Sequence, residues 1–126
     1  MKRAGTIALV ALGSLTLLVT AAFHFTGFAE ISAWVDGLAD RSFFARAIPT
    51  IWLFPSLHWL AIAAGLFAAA WFGIASLRTL LFGCALLLAA DAALIYAAVG
   101  PFVGSAMLLA AAALYAAAGF GARPAD

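Results

Sequence analysis

The sequence predicts an all-α membrane protein, with four transmembrane helices in an antiparallel bundle and a short amphipathic interfacial helix between helices 1 and 2. Three observations predict it. Of 126 residues, 68% are hydrophobic and 9% charged, whereas an ordinary soluble domain carries about 25% charged residues. The stretches 4–29 and 47–77 hold no charge, and between Thr79 and Arg123 the one charge is Asp91; a crossing needs about 20 mostly apolar residues. Gly100-Pro101 then divides that last stretch into two spans, because glycine ends helices and proline starts them.

The first span is expected at 5–27. Gly13, Thr16, Thr20 and His24 recur at intervals of three or four residues and so share one face, which should look inward. The threonine hydroxyls can bond their own helix carbonyls; the imidazole of His24 has no such outlet. A cleavable signal peptide is the competing reading of this segment, with Lys2-Arg3 ahead of an apolar stretch and Val19-Thr20-Ala21 as a small-residue cleavage site. The apolar run continues through Phe23, Phe25 and Phe28, which favours an uncleaved span.

From 28 to 40 the chain shows helical periodicity. Phe28, Ile31, Trp34, Val35 and Leu38 fall on one face and Ser32, Asp36 and Asp40 on the other. A short helix lying in the outer interface accounts for the pattern.

The second span is expected at 50–73, started by Pro49, with Pro55 about one turn further in as a kink. Trp52 and Trp71 near its ends read as interfacial aromatics. The third span, 77–98, contains Asp91. A central aspartate costs about 3 kcal/mol on the insertion scale, and nine large apolar residues of this segment offset roughly 4 kcal/mol, so the helix can insert with little to spare. The fourth span, 102–121, is nearly all alanine and leucine; Tyr115 is its main polar handle. Small residues let helices approach closely in lipid. The whole chain, 1–126, reads as one domain.

Orientation follows from Lys and Arg near the span ends. Lys2, Arg3, Arg78 and Arg123 fall on one side, Arg41 and Arg46 on the other, which predicts an inner-membrane protein with both termini cytoplasmic. The net charge of +1, with neither a basic cluster nor a glycine-rich phosphate loop, points away from nucleic acid and nucleotides. The single cysteine, Cys84, cannot form an intrachain disulfide and reads as a small buried hydrophobe. Hydrolase and transferase motifs are absent, so an enzyme is not expected.

The candidate site is the set of ionisable residues inside the spans, His24, His58 and Asp91, beside the helix 1 stripe of Thr16 and Thr20. By helix rise they lie about 5, 10 and 10–13 Å below the outer end; counted from the turn between helices 2 and 3, His58 and Asp91 differ by up to about 7 Å. If they meet, Asp91 can accept a hydrogen bond from His58. Three roles are open. The pair can be interhelical glue in a structural or accessory component, partnered by lipid, by itself or by another membrane subunit. It can handle protons or ions, since histidine titrates near neutrality. Or the two histidines can ligate a haem iron, or with Asp91 a metal. No cofactor is expected, because the chain has no His-x₃-His, Cys-x₂-Cys or Glu-x₂-His spacing.

Overall fold

The computed structural model describes residues 3–39 and 42–122. Those residues form five helices and no strand: α1 (Arg3–Thr26), α2 (Phe28–Asp36), α3 (Phe43–Phe72), α4 (Leu77–Val99) and α5 (Val103–Gly121). The fold is all-α, and four helical segments are long and apolar enough to cross a membrane: α1 with α2, then α3, α4 and α5.

Each long helix buries a seam of alternating three- and four-residue steps. Val10, Ser14, Leu17 and Ala21 supply it from α1; Trp59, Ala63, Leu66 and Ala70 from α3; Leu81, Ala85, Leu88 and Ala92 from α4; Leu108, Ala111, Tyr115 and Ala118 from α5. That spacing keeps one stripe facing the neighbours. The packing is uneven. α1 lies between α3 and α5, and α5 packs on α4, while α3 meets α4 along the thinnest seam of the bundle.

Short punctuations connect the helices. Gly73 closes α3 in the left-handed conformation (φ 71°), with its own N–H and that of Ile74 on the carbonyl of Ala69. A side chain is strained there. Gly100 closes α4 at φ 77°, and α5 begins three residues later, as the Gly-Pro pair predicts. Arg3 reaches across to the end of α3, donating to the carbonyl of Trp71 at 2.8 Å, one of the carbonyls a helix end leaves without a partner. The start of α1 and the start of α4, where Arg78 stands, therefore share one end of the bundle. Of the other topology determinants, Lys2, Arg41 and Arg123 lie outside the described residues.

Three expectations are corrected. The second long helix starts at Phe43, seven residues before the expected position 50, and runs through both Pro49 and Pro55. Ser42 is its cap, accepting from the N–H of Ala45 at 3.4 Å. Each proline removes one backbone hydrogen bond, from the carbonyls of Ala45 and Ile51, and the helix carries both losses. Ser42→Ala should cost about 1 kcal/mol, read as roughly fivefold faster amide exchange over 43–48; unchanged exchange there would show that the cap does not hold the helix start. Second, α2 follows α1 with Gly27 alone between them. Val35 is buried, but Trp34 is exposed, and the Ser32 hydroxyl is buried without a hydrogen-bond partner. The covered face keeps Phe28, Ile31, Val35 and Leu38 as expected and takes in Ser32 in place of Trp34, where α2 packs against α3. Asp40 lies outside the described residues. Third, Trp52 stands nine residues inside α3 and not near its end, and its ring belongs to the site below.

Candidate functional site

Two polar nodes tie the helices together. The first is deep in the bundle, where α1, α3 and α5 meet. Ser14 donates to the carbonyl of Ala63 at 3.0 Å and lies 3.1 Å from the Tyr115 hydroxyl. A carbonyl can only accept, so the serine proton goes to Ala63 and the tyrosine proton to Ser14. Every polar atom of the trio has a partner across a helix boundary.

The second node gathers the three intraspan ionisable residues. Asp91 on α4 receives two contacts at one oxygen, Oδ2: the indole N–H of Trp59 at 3.0 Å and Nε2 of His58 at 3.0 Å. With the carboxylate ionised, Nε2 of His58 carries a proton and donates it. The depth mismatch counted from the turn disappears once its limits are known. α3 ends at Phe72 and α4 begins at Leu77, so His58 and Asp91 each stand fourteen residues from the turn, about 21 Å along their helices. This cluster bridges α3 and α4 where they otherwise touch least. The His58 side chain is 39% exposed and that of Asp91 21%, so the pair lies at the edge of the bundle, facing along the seam.

His24 joins the same cluster through rings. Its imidazole meets Trp59 edge-on at 5.3 Å and stacks on Trp52 at 4.4 Å. Trp52 donates from its indole nitrogen to the backbone carbonyl of His24 at 3.2 Å. Ser56 donates to the carbonyl of Ala21 at 3.1 Å, and Nδ1 of His24 lies 3.0 Å from the Ser56 oxygen. The serine has one proton, already committed to a carbonyl, so Nδ1–H of His24 is the donor. In the neutral ring the lone pair then resides on Nε2. The spacing Trp52, Ser56, Trp59 puts all three on the α3 face that meets α1.

Thr16 and Thr20 donate to the carbonyls of Leu12 (3.0 Å) and Thr16 (2.8 Å) within their own helix. They take no part in the cross-helix network, although Thr20 is buried and lines a cavity of about 260 Å³ beside His24. Cys84 packs at the margin of the apolar core, within electrostatic reach of Tyr115. Ser14, Ser56, Trp52 and Trp59 are the members that sequence reasoning missed.

The indole of Trp59 packs against both imidazoles, at 5.3 Å and 5.7 Å. That buried indole lies between the two imidazoles. Among the described residues, no three of His, Cys, Asp and Glu form a group suited to a metal ion. Comparison with protein-family models, with curated proteins and with solved structures gives no match for this chain.

Proposed function

We propose that this chain is a multi-pass inner-membrane protein whose four long helices run antiparallel, both termini cytoplasmic, and that it serves as a small structural or accessory component acting through helix–helix contacts. The supporting observation is how the intraspan polar groups are spent. Ser14, Tyr115, Ser56, His58, Trp59 and Asp91 are bonded to one another or to carbonyls of neighbouring helices. Outward faces carry Leu12, Leu15, Phe54, Leu57, Leu86 and Leu94, the surface that lipid chains cover. An antiparallel course agrees with the Phe23–Phe102 ring contact (6.0 Å), which joins the end of α1 to the start of α5, and with Arg3 on Trp71. A bilayer gives such a network a clear use, because an unpaired polar group in hydrocarbon is costly.

Gly65 of α3 and Gly83 of α4 lie on exposed faces, where an added methyl would meet nothing within 4 Å. Such a face suits a further helix, from a second copy or another subunit. Native mass spectrometry after extraction into lipid nanodiscs tests the role. A homo-oligomer or a stoichiometric complex with another membrane subunit is expected; a bare monomer overturns the accessory reading. Reporter fusions at the two ends test the topology. Both should report the cytoplasm, and opposite sides would remove the four-crossing arrangement.

A second reading, proton or ion handling, is favoured by one observation: Trp59 links the partly exposed His58–Asp91 pair to His24 at the cavity wall. In proteoliposomes this reading requires a proton flux that Asp91→Asn abolishes while the fold persists.

A further inference from the structure

The cavity beside His24 has walls whose chemistry is specific. Four aromatic rings line it: Phe23, Trp52, Trp59 and Phe102. His24 adds a fifth ring, and Glu30 of α2 is the one charged residue among the described residues that line it. We propose that this cavity binds an alkylammonium cation, held among its aromatic walls and drawn in by Glu30. The proposal stands apart from the structural reading above and does not depend on it.

Cations sit over aromatic faces because the ring quadrupole is negative there, and tryptophan gives the strongest such contact. Quaternary ammonium groups are the usual occupants of multi-ring cages, since their charge is spread over methyl groups that also gain from apolar walls. A hard metal ion is a poor fit. It wants six or more oxygen ligands, and this wall offers a single carboxylate. An anion is opposed by Glu30.

The rings are held in place before any ligand arrives. Trp52 is fixed by its hydrogen bond to the His24 carbonyl, and its ring lies on Gly27, where an added methyl would stand 2.9 Å from it. The Phe102 ring lies on Gly104 in the same way, at 2.6 Å. Both glycines line the cavity, so two aromatic walls each rest on a residue with no side chain. Trp59, nearly all of it buried, is fixed by Asp91 and backs the cavity wall. Preorganised walls cost less to engage than mobile ones. The volume of about 260 Å³ is ample for a trimethylammonium group with a short substituent.

That group occurs on free choline-like solutes and on phosphocholine lipid headgroups, and Glu30 on α2 sits where either could approach. Choline and 3,3-dimethylbutan-1-ol provide the test, because they match in shape and differ in charge. In a Trp34→Phe/Trp71→Phe background, emission comes from Trp52 and Trp59 alone. Choline should shift that emission saturably, and the neutral alcohol should bind about tenfold more weakly. Glu30→Gln, at an exposed position that leaves the fold intact, should weaken choline binding about fivefold. If the alcohol binds as well as choline, if the response never saturates, or if Glu30→Gln changes nothing, the proposal is wrong. Repeating the titration in phosphatidylcholine and phosphatidylglycerol nanodiscs separates the sources. Loss of the choline response in phosphatidylcholine alone identifies a headgroup as occupant, and its persistence in both identifies a free solute.

Discussion

Tyr115→Ala is expected to destabilise the bundle by about 3–5 kcal/mol, the range for truncating a large buried aromatic side chain. Tyr115 is fully buried and stands where α1, α3 and α5 meet. Its ring lies against Gly13, so closely that a methyl at that glycine would come within 2.8 Å of it. Its hydroxyl donates to Ser14, which in turn holds the Ala63 carbonyl. Alanine would leave a dry void and strip Ser14 of a donor at the same time. The two contributions separate experimentally. Tyr115→Phe keeps the ring and removes the hydroxyl, and should cost about 0.6 kcal/mol and no more than about 1.7, the range for interhelical polar contacts in membranes. Gly13→Ala should cost about 1–3 kcal/mol by overpacking in the wild-type chain, and much less where Tyr115 is already alanine. Unfolding free energies of the four proteins and the double variant, measured by steric trapping in bicelles, decide the matter. A Tyr115→Ala protein within 1 kcal/mol of wild type, or a Gly13→Ala cost equal in both backgrounds, would show that this contact is not where three helices are locked.

The parts of the fold that were legible in the sequence are those set by punctuation and hydropathy. Glycine at 100 ends a helix by its positive φ, as the Gly-Pro pair predicts, and the third apolar run, expected at 77–98, is a helix over Leu77–Val99. The start of α3 was not legible for a local reason. Proline is favoured at a first helical turn, so Pro49 masks the weaker serine signal at 42, and Arg46 interrupts the apolar run that would have pointed there. On α2 the periodicity gives a stripe and not the partner: Phe28, Ile31, Val35 and Leu38 are covered as it reads, Trp34 is not, and α3 packs against this helix. At the site, His58 and Asp91 stood out as ionisable groups without charged neighbours. Their partners did not. Ser14 and Ser56 are hydroxyls that a helix can satisfy alone, as Thr16 and Thr20 do, so nothing in the chain marks them as cross-helix donors. Trp59 beside His58 reads as one more apolar residue, and only the packed structure reveals that its indole nitrogen serves Asp91.

Asp91→Ala should open the α3–α4 seam, because it deprives two donors on α3 of their shared acceptor. Hydrogen bonds to a charged group contribute about 1.5–3 kcal/mol in water-soluble folds, and membrane polar contacts average less; partial exposure of the pair lowers the figure again. A loss of about 1–3 kcal/mol follows. Against it runs an insertion gain, since a central aspartate costs about 3 kcal/mol on that scale, so total yield is an ambiguous readout and a local one is needed. Spin labels at Leu57 and Leu94, both exposed, report the separation of the two helices directly. The distance distribution should broaden in Asp91→Ala. It should broaden less in His58→Ala, where Trp59 still donates to the carboxylate, and least in Asp91→Asn, where an amide oxygen remains to accept. The order of the three is the discriminating result. A distribution unchanged by Asp91→Ala would mean that apolar packing alone holds α3 to α4, and His58→Ala broadening as much as Asp91→Ala would mean that the indole contact contributes nothing. Proton handling adds a second readout on the same proteins: Asp91→Asn, whose amide preserves the acceptor and so most of the wild-type distances, would lose all flux, since it abolishes the titratable group.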